Sequence, residues 1–138
     1  MGTPRDKDAS RYYTAADHRR VDGRFLLEVE RTTAAVYLSG YCVECVVKAL
    51  ILTQTPAGKR KDILDEFHAT AAHNFDRLRS LYQKYGGPPL PKSVISAFVI
   101  VRVGGPDLRY EPAVTPADDA ADFLAAVDMI WDRADGRL

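Results

Sequence analysis

The sequence predicts an all-α fold: an antiparallel, up-and-down bundle of four main helices with one or two short extra ones. Three observations predict it. Apolar residues recur at three- and four-residue spacing over long stretches, and Gly- or Pro-containing breaks separate those stretches. One central segment is apolar nearly all the way round, the mark of a helix buried on several sides. The single stretch that reads as strand-like, Phe98 to Val103, has no second strand to pair with, so helix is the consistent assignment.

The first helix is expected from about Asp8 to Arg31, with residues 1–8 a flexible N-terminal arm. Tyr12, Ala15, Ala16, Phe25, Leu26 and Val29 form its apolar stripe, and Gly23 weakens it by up to ~1 kcal/mol relative to alanine. The second, Thr33 to about Thr53, carries Val36, Leu38, Cys42, Val43, Val46, Val47, Leu50 and Leu52 around its whole circumference. Pro56 and Gly58 then open a loop, and a short helix with Ile63, Leu64 and Phe67 follows. Asn74 is an N-cap for a helix bearing Phe75, Leu78, Leu81, Tyr82 and Tyr85, which Gly86-Gly87-Pro88-Pro89 ends. Pro91 to Val103 places Val94, Ala97, Phe98 and Val101 on one face. Thr115 as N-cap and Pro116 in the first turn start the last helix, which buries Ala120, Leu124, Val127 and Trp131 and turns its aspartates outward.

A chain of 138 residues fits one domain, and 46% apolar against 28% charged residues suits a packed core. Nineteen basic and nineteen acidic side chains cancel, which argues against a generic polycationic nucleic-acid binder. Residues 102–138 hold eight acids against four arginines, so nucleic-acid contact would be local rather than a broad phosphate track. The first ten residues lack an apolar h-region, and Asp6 stands where a myristoylation motif needs Ser or Thr. The longest uncharged run, Thr32 to Val43, falls short of the ~20 residues of a spanning helix. A cytoplasmic protein without a membrane partner is the expectation, and two cysteines are too few for a disulfide scaffold.

Tyr37, Tyr41, Glu44 and Lys48 fall within about 60° of one another on the second helix, at ~100° per residue. The stripe is either a solvated strip or one wall of a polar site. Arg102, Arg109 and Tyr110 bracket a Gly-Gly-Pro turn. Their guanidinium forks suit phosphate oxygens and the tyrosine ring can stack on an unpaired base; the alternative is pairing of Arg109 with Asp107, Glu111 or Glu44. Cys42 and Cys45 form a C-x-x-C inside a buried helix, so core packing is expected, with no metal and no cofactor. Lys59, Arg60 and Lys61 read as a solvated basic run, and His73 as a turn residue beside a helix start.

Ala35, Tyr37, Leu38, Gly40, Tyr41, Glu44, Lys48 and Ala49 together resemble the A-x-Y-L-x-G-Y-x-x-E-x-x-L-K-A signature of bacterial HEPN-domain proteins. His73 with Phe75 and Leu78 is similar to that family's H-x-L-x-x-L helix start, and Arg109-Tyr110 to its R-Y element. The resemblance implies an all-α bundle that often dimerises and is found in toxin–antitoxin or defence systems, frequently beside a nucleotidyltransferase partner. Many relatives are metal-independent ribonucleases with an Arg, four to six residues, then His. Here Arg102 is followed seven residues on by Arg109 and then Tyr110, and His18, His68 and His73 do not complete the motif. An arginine cannot act as a base at neutral pH. The leading expectation is therefore a homodimeric RNA- or nucleotide-binding module without that ribonuclease site, using Arg102, Arg109, Tyr110, Tyr41, Glu44 and Lys48. The alternatives are a divergent metal-independent RNase toxin, with Arg102, Arg109, Tyr110 and His73 as its catalytic groups, and a protein-interaction subunit of a nucleotidyltransferase pair.

Overall fold

A computed structural model describes residues 4, 6–69, 74–104 and 114–138. Six helices make up the described fold: α1 (Lys7–Glu28), α2 (Thr32–Gln54), α3 (Arg60–Phe67), α4 (Phe75–Lys84), α5 (Lys92–Gly104) and α6 (Ala117–Asp135). A single 3₁₀ turn, Ala57–Lys59, precedes α3, and no strand occurs among the described residues. The predicted helical bundle is thus what forms, and Phe98 to Val101 lie in a helix, not a strand.

Helix α2 is the axis of the molecule, with α1, α3, α4 and α6 packed against it. Its circumference is apolar, so it can be covered on several sides, and Val36, Cys42, Val43, Val46 and Ile51 are fully enclosed. By length and composition α2 could also cross a membrane, although no uncharged run in it reaches that length; 72% of its most apolar window is buried inside the fold. One hydrophobic cluster draws residues from all six helices. Helix α5 packs mainly on α6, with Val94, Ala97, Phe98 and Val101 inward as their spacing requires.

Helix ends follow local chemistry. Asp6 caps α1, its carboxylate accepting from the Ala9 amide at 2.8 Å, and Asn74 caps α4 through the Arg77 amide at 3.1 Å. Residues 6–8 therefore belong to the helix and its cap, where a flexible arm was expected. The α1 and α4 C-termini use the same device. Arg31 N–H reaches Leu26 O and Glu30 N–H reaches Leu27 O, while Gly87 N–H reaches Tyr82 O and Gly86 N–H reaches Gln83 O. That motif needs a left-handed residue, which is Gly86 (φ 92°) in one case and Glu30 (φ 63°) in the other.

Two further expectations are corrected. Thr115 does not cap α6, which begins at Ala117 after Pro116 with no side-chain cap. Its carbonyl accepts from Thr32 Oγ1 at 2.6 Å, and its amide donates to Thr33 Oγ1 at 2.9 Å, tying the α6 approach to the start of α2. Gly23 is more than a weak spot in α1. A Cβ there would lie 2.2 Å from Ser39 Oγ and 3.3 Å from the Ala35 carbonyl, so it allows α1 and α2 to meet closely. That crossing turns Ala9 and Ala16 inward and leaves Phe25 and Val29, two members of the expected apolar stripe, 60% and 49% exposed.

Candidate functional site

The polar stripe on α2 divides into two halves. Toward the N-terminus, Tyr37 and Tyr41 meet edge to face with ring centroids 5.2 Å apart, and their hydroxyls share a hydrogen bond of 2.9 Å. Both side chains are half-buried. Toward the C-terminus, Lys48 Nζ donates to Glu44 Oε2 at 3.0 Å, and both residues are buried, Lys48 being 3% exposed. The solvated-strip alternative thus does not hold for this pair.

The surroundings of Lys48 explain how a cation is tolerated there. Its ammonium lies 5.6 Å from the Tyr12 ring centre on α1 and 5.4 Å from the Phe67 ring centre on α3. Those two rings meet edge to face at 5.7 Å, so α1, α2 and α3 converge on one charge. The negative ring faces and the carboxylate together replace part of the lost hydration. Lys48 accordingly points into the fold rather than toward a surface ligand. The neighbouring thiols are held protonated: burial raises Cys42 strongly, and burial followed by the Glu44 charge pushes Cys45 up to about 11. No cluster of metal-ligating side chains occurs among the described residues.

Arg102 stands in the last turn of α5, where a cation complements the helix dipole. It is 52% exposed, and its guanidinium lies 3.5 Å from Asp76, a 60% exposed carboxylate in the first turn of α4. Phe75, the neighbour of Asp76, approaches Gly40 of α2, between Tyr37 and Tyr41 in the chain. Arg102 on α5 and the tyrosine pair on α2 are therefore linked through the start of α4, which carries Asp76 and Phe75. His73, Arg109 and Tyr110 lie outside the described residues. Of the expected ligand-binding set, then, Arg102 and Tyr41 stand on two helices that both pack on α4, and Glu44 and Lys48 are turned inward.

The basic run also resolves. Lys59 and Lys61 are exposed, but Arg60 donates to Asp6 and to Asp8 at 2.7 Å each, clamping the start of α1 to the start of α3. Sequence reasoning missed five partners: Asp6 and Asp8 for Arg60, which is not the solvated cation expected, Asp76 for Arg102, and Tyr12 and Phe67 around Lys48. The local signal for Asp76 is its position beside an N-cap, where a carboxylate favours the helix terminus. For the two rings the contact is long-range, and nothing in their immediate sequence announces it.

Comparison of the chain with protein-family models, curated proteins and solved structures finds no match in any of the three. What the fold and site define is a helical bundle with an exposed arginine at one end and a buried, aromatic-lined ion pair on its central helix.

Proposed function

We propose that this chain is a HEPN-type module that binds RNA or a nucleotide through a phosphate-recognising site at the Arg102 end of the bundle. The observation that carries the proposal is the state of Arg102. Its pairing with Asp76 is long and solvent-exposed, a class of contact worth ~0–1 kcal/mol. A phosphate can therefore replace the carboxylate at little cost, with charge-assisted, bidentate geometry in return. The Tyr37–Tyr41 hydroxyls supply half-buried polar groups on α2, on the far side of the α4 start that holds Asp76. The resemblance of the α2 motif supports the same reading, with a homodimer, a cytoplasmic setting and a toxin–antitoxin or defence context as its further parts. In this reading Glu44 and Lys48 support the wall of the site from behind and do not touch the ligand.

The test is a mobility-shift and cleavage assay with end-labelled single-stranded and hairpin RNA in EDTA. The wild type is expected to shift RNA without cutting it, and Arg102→Ala to bind at least tenfold more weakly, about 1.4 kcal/mol. Equal affinities would remove Arg102 from the site. Cleavage lost in Arg102→Ala would make the protein a metal-independent RNase instead. A second reading, a protein-interaction subunit such as one paired with a nucleotidyltransferase, is favoured by Val99 and Ile100, which are 45% and 44% exposed on α5 just before Arg102. RNA left intact and unshifted would move the assignment there.

A further inference from the structure

Helix α3 has the slightest hold of the six on the rest of the bundle. It is eight residues long, below the ~12–15 at which a helix keeps its shape alone in water, and no side chain caps its start. It buries Ile63 and Phe67, whereas α4, at ten residues, buries Leu78, Leu81 and Tyr82. Ion pairs hold both its ends. Arg60 in the first turn reaches Asp6 and Asp8 at the start of α1, and Glu66 in the last turn accepts from Arg77 of α4 at 2.8 Å. The side chains in these pairs are 28–40% exposed, so salt screens them as it does not screen a pair sealed in the core.

What α3 covers is not an ordinary apolar floor. The Phe67 ring closes over the Lys48 ammonium, and it also meets the Tyr12 ring edge to face. Exposing Ile63 and Phe67 to water opposes any lifting of α3. Hydration of the Lys48 ammonium and the Glu44 carboxylate, both withheld from solvent while α3 is in place, favours it. Among the described residues no other charged side chains are buried, so that return is confined to this corner of the fold.

We infer that α3 is a strap over the Glu44–Lys48 pair, latched at its ends by Arg60 and Glu66, that lifts while the other helices stay packed. Loosening the latches admits water to Lys48, so ionic strength sets how often the pair is uncovered. Neither Arg102 nor a bound RNA takes part in this motion, which stands or falls apart from the phosphate site.

Hydrogen exchange and lysine acetylation on the intact chain, both read by mass spectrometry, test this together. The hydrogen-bonded amides of residues 64–67 are expected to be at least roughly tenfold less protected than those of residues 43–47 in α2. Lys48 is expected to acetylate more slowly than Lys61, whose side chain is 89% exposed. Its rate relative to Lys61 should rise about threefold or more between about 0.05 M and about 0.5 M NaCl, as the latches are screened. Arg60→Gln and Glu66→Gln should each raise that rate at low salt and flatten its salt dependence, with the α2 amides still protected. Lys48 acetylation that tracks exchange of the α2 amides at every salt concentration overturns the proposal in the wild type alone, because α3 then leaves only when the whole bundle unfolds. So does a Lys48 that reacts as fast as Lys61, since it would not be covered, or a rate unchanged by salt and by both substitutions.

Discussion

Lys48 shows how much one residue can cost and contribute in this fold. Its ammonium is removed from water and answered by Glu44 and two aromatic faces. Removing the lysine takes its ammonium away from the buried Glu44 carboxylate, and losing one partner of a buried pair costs up to about 3–5 kcal/mol. Lys48→Met should therefore lower the free energy of unfolding by that amount in urea denaturation, despite its apolar surroundings. Lys48→Met combined with Glu44→Gln should recover part of the loss, because no buried charge then remains. A Lys48→Met variant as stable as the wild type would show that the pair is solvated. The residue pattern made the pairing legible, since Glu and Lys stand four apart on one helix in the favourable order. Its burial was not legible, because Tyr12 and Phe67 reach the ammonium from segments far away in the chain.

At the scale of elements, the α1–α2 crossing depends on Gly23. Alanine is the better helix former by ~1 kcal/mol, so propensity alone predicts that Gly23→Ala stabilises. The added methyl would stand 2.2 Å from Ser39 Oγ, and Ser39 is only 1% exposed. Overpacking of this kind costs about 1–3 kcal/mol, so the clash should win and the thermal midpoint should fall. Gly23→Ala with Ser39→Ala should regain most of the loss; a rise in midpoint for the single variant would mean the helices can separate freely. Helix positions were readable because each rests on local signals: the all-round apolarity of α2, the Asn74 cap, the Gly86 stop and the Gly104 break. Which arc of α1 faces the core was not readable. Spacing marks Phe25 and Val29 as one stripe with Leu26, but the close approach at Gly23 decides the rotation. Thr115 misled for a related reason, since its hydrogen-bonding groups serve a tertiary contact with Thr32 and Thr33.

Over the whole molecule, charge is balanced in number and uneven in use. Arg60 joins the first and third helices by holding two carboxylates, and Asp6 also caps α1. Burial alone would raise the Asp6 carboxyl; the Arg60 and Ala9 hydrogen bonds and the Arg60 charge outweigh it and hold it below the usual carboxylate value. A folded-state value below the unfolded one contributes stability above the ordinary carboxylate range, lost as pH falls through the folded value. The urea midpoint should therefore drop below about pH 4 in the wild type. Asp6→Asn should be less stable at pH 7 and should lose less on acidification. An identical pH profile for the two proteins would show that Asp6 carries none of the acid sensitivity.

The seam between α1 and α6 gives the molecule an internal reporter. Trp131, the one tryptophan in the chain, is 7% exposed, stacked on Tyr13 at 5.2 Å and covered by the Arg20 guanidinium at 4.7 Å from its ring. The neighbouring Tyr13 hydroxyl donates to Asp135 at 2.9 Å, and Arg24 reaches Asp128 across the same seam. Indole emission thus reads the docking of the first helix on the last, while far-ultraviolet dichroism reads the helices wherever they are. Superimposable denaturation curves from the two signals would mean the bundle comes apart as one unit. An emission change that runs ahead of the loss of helix would identify α1 undocking from α6 as the first opening of the fold.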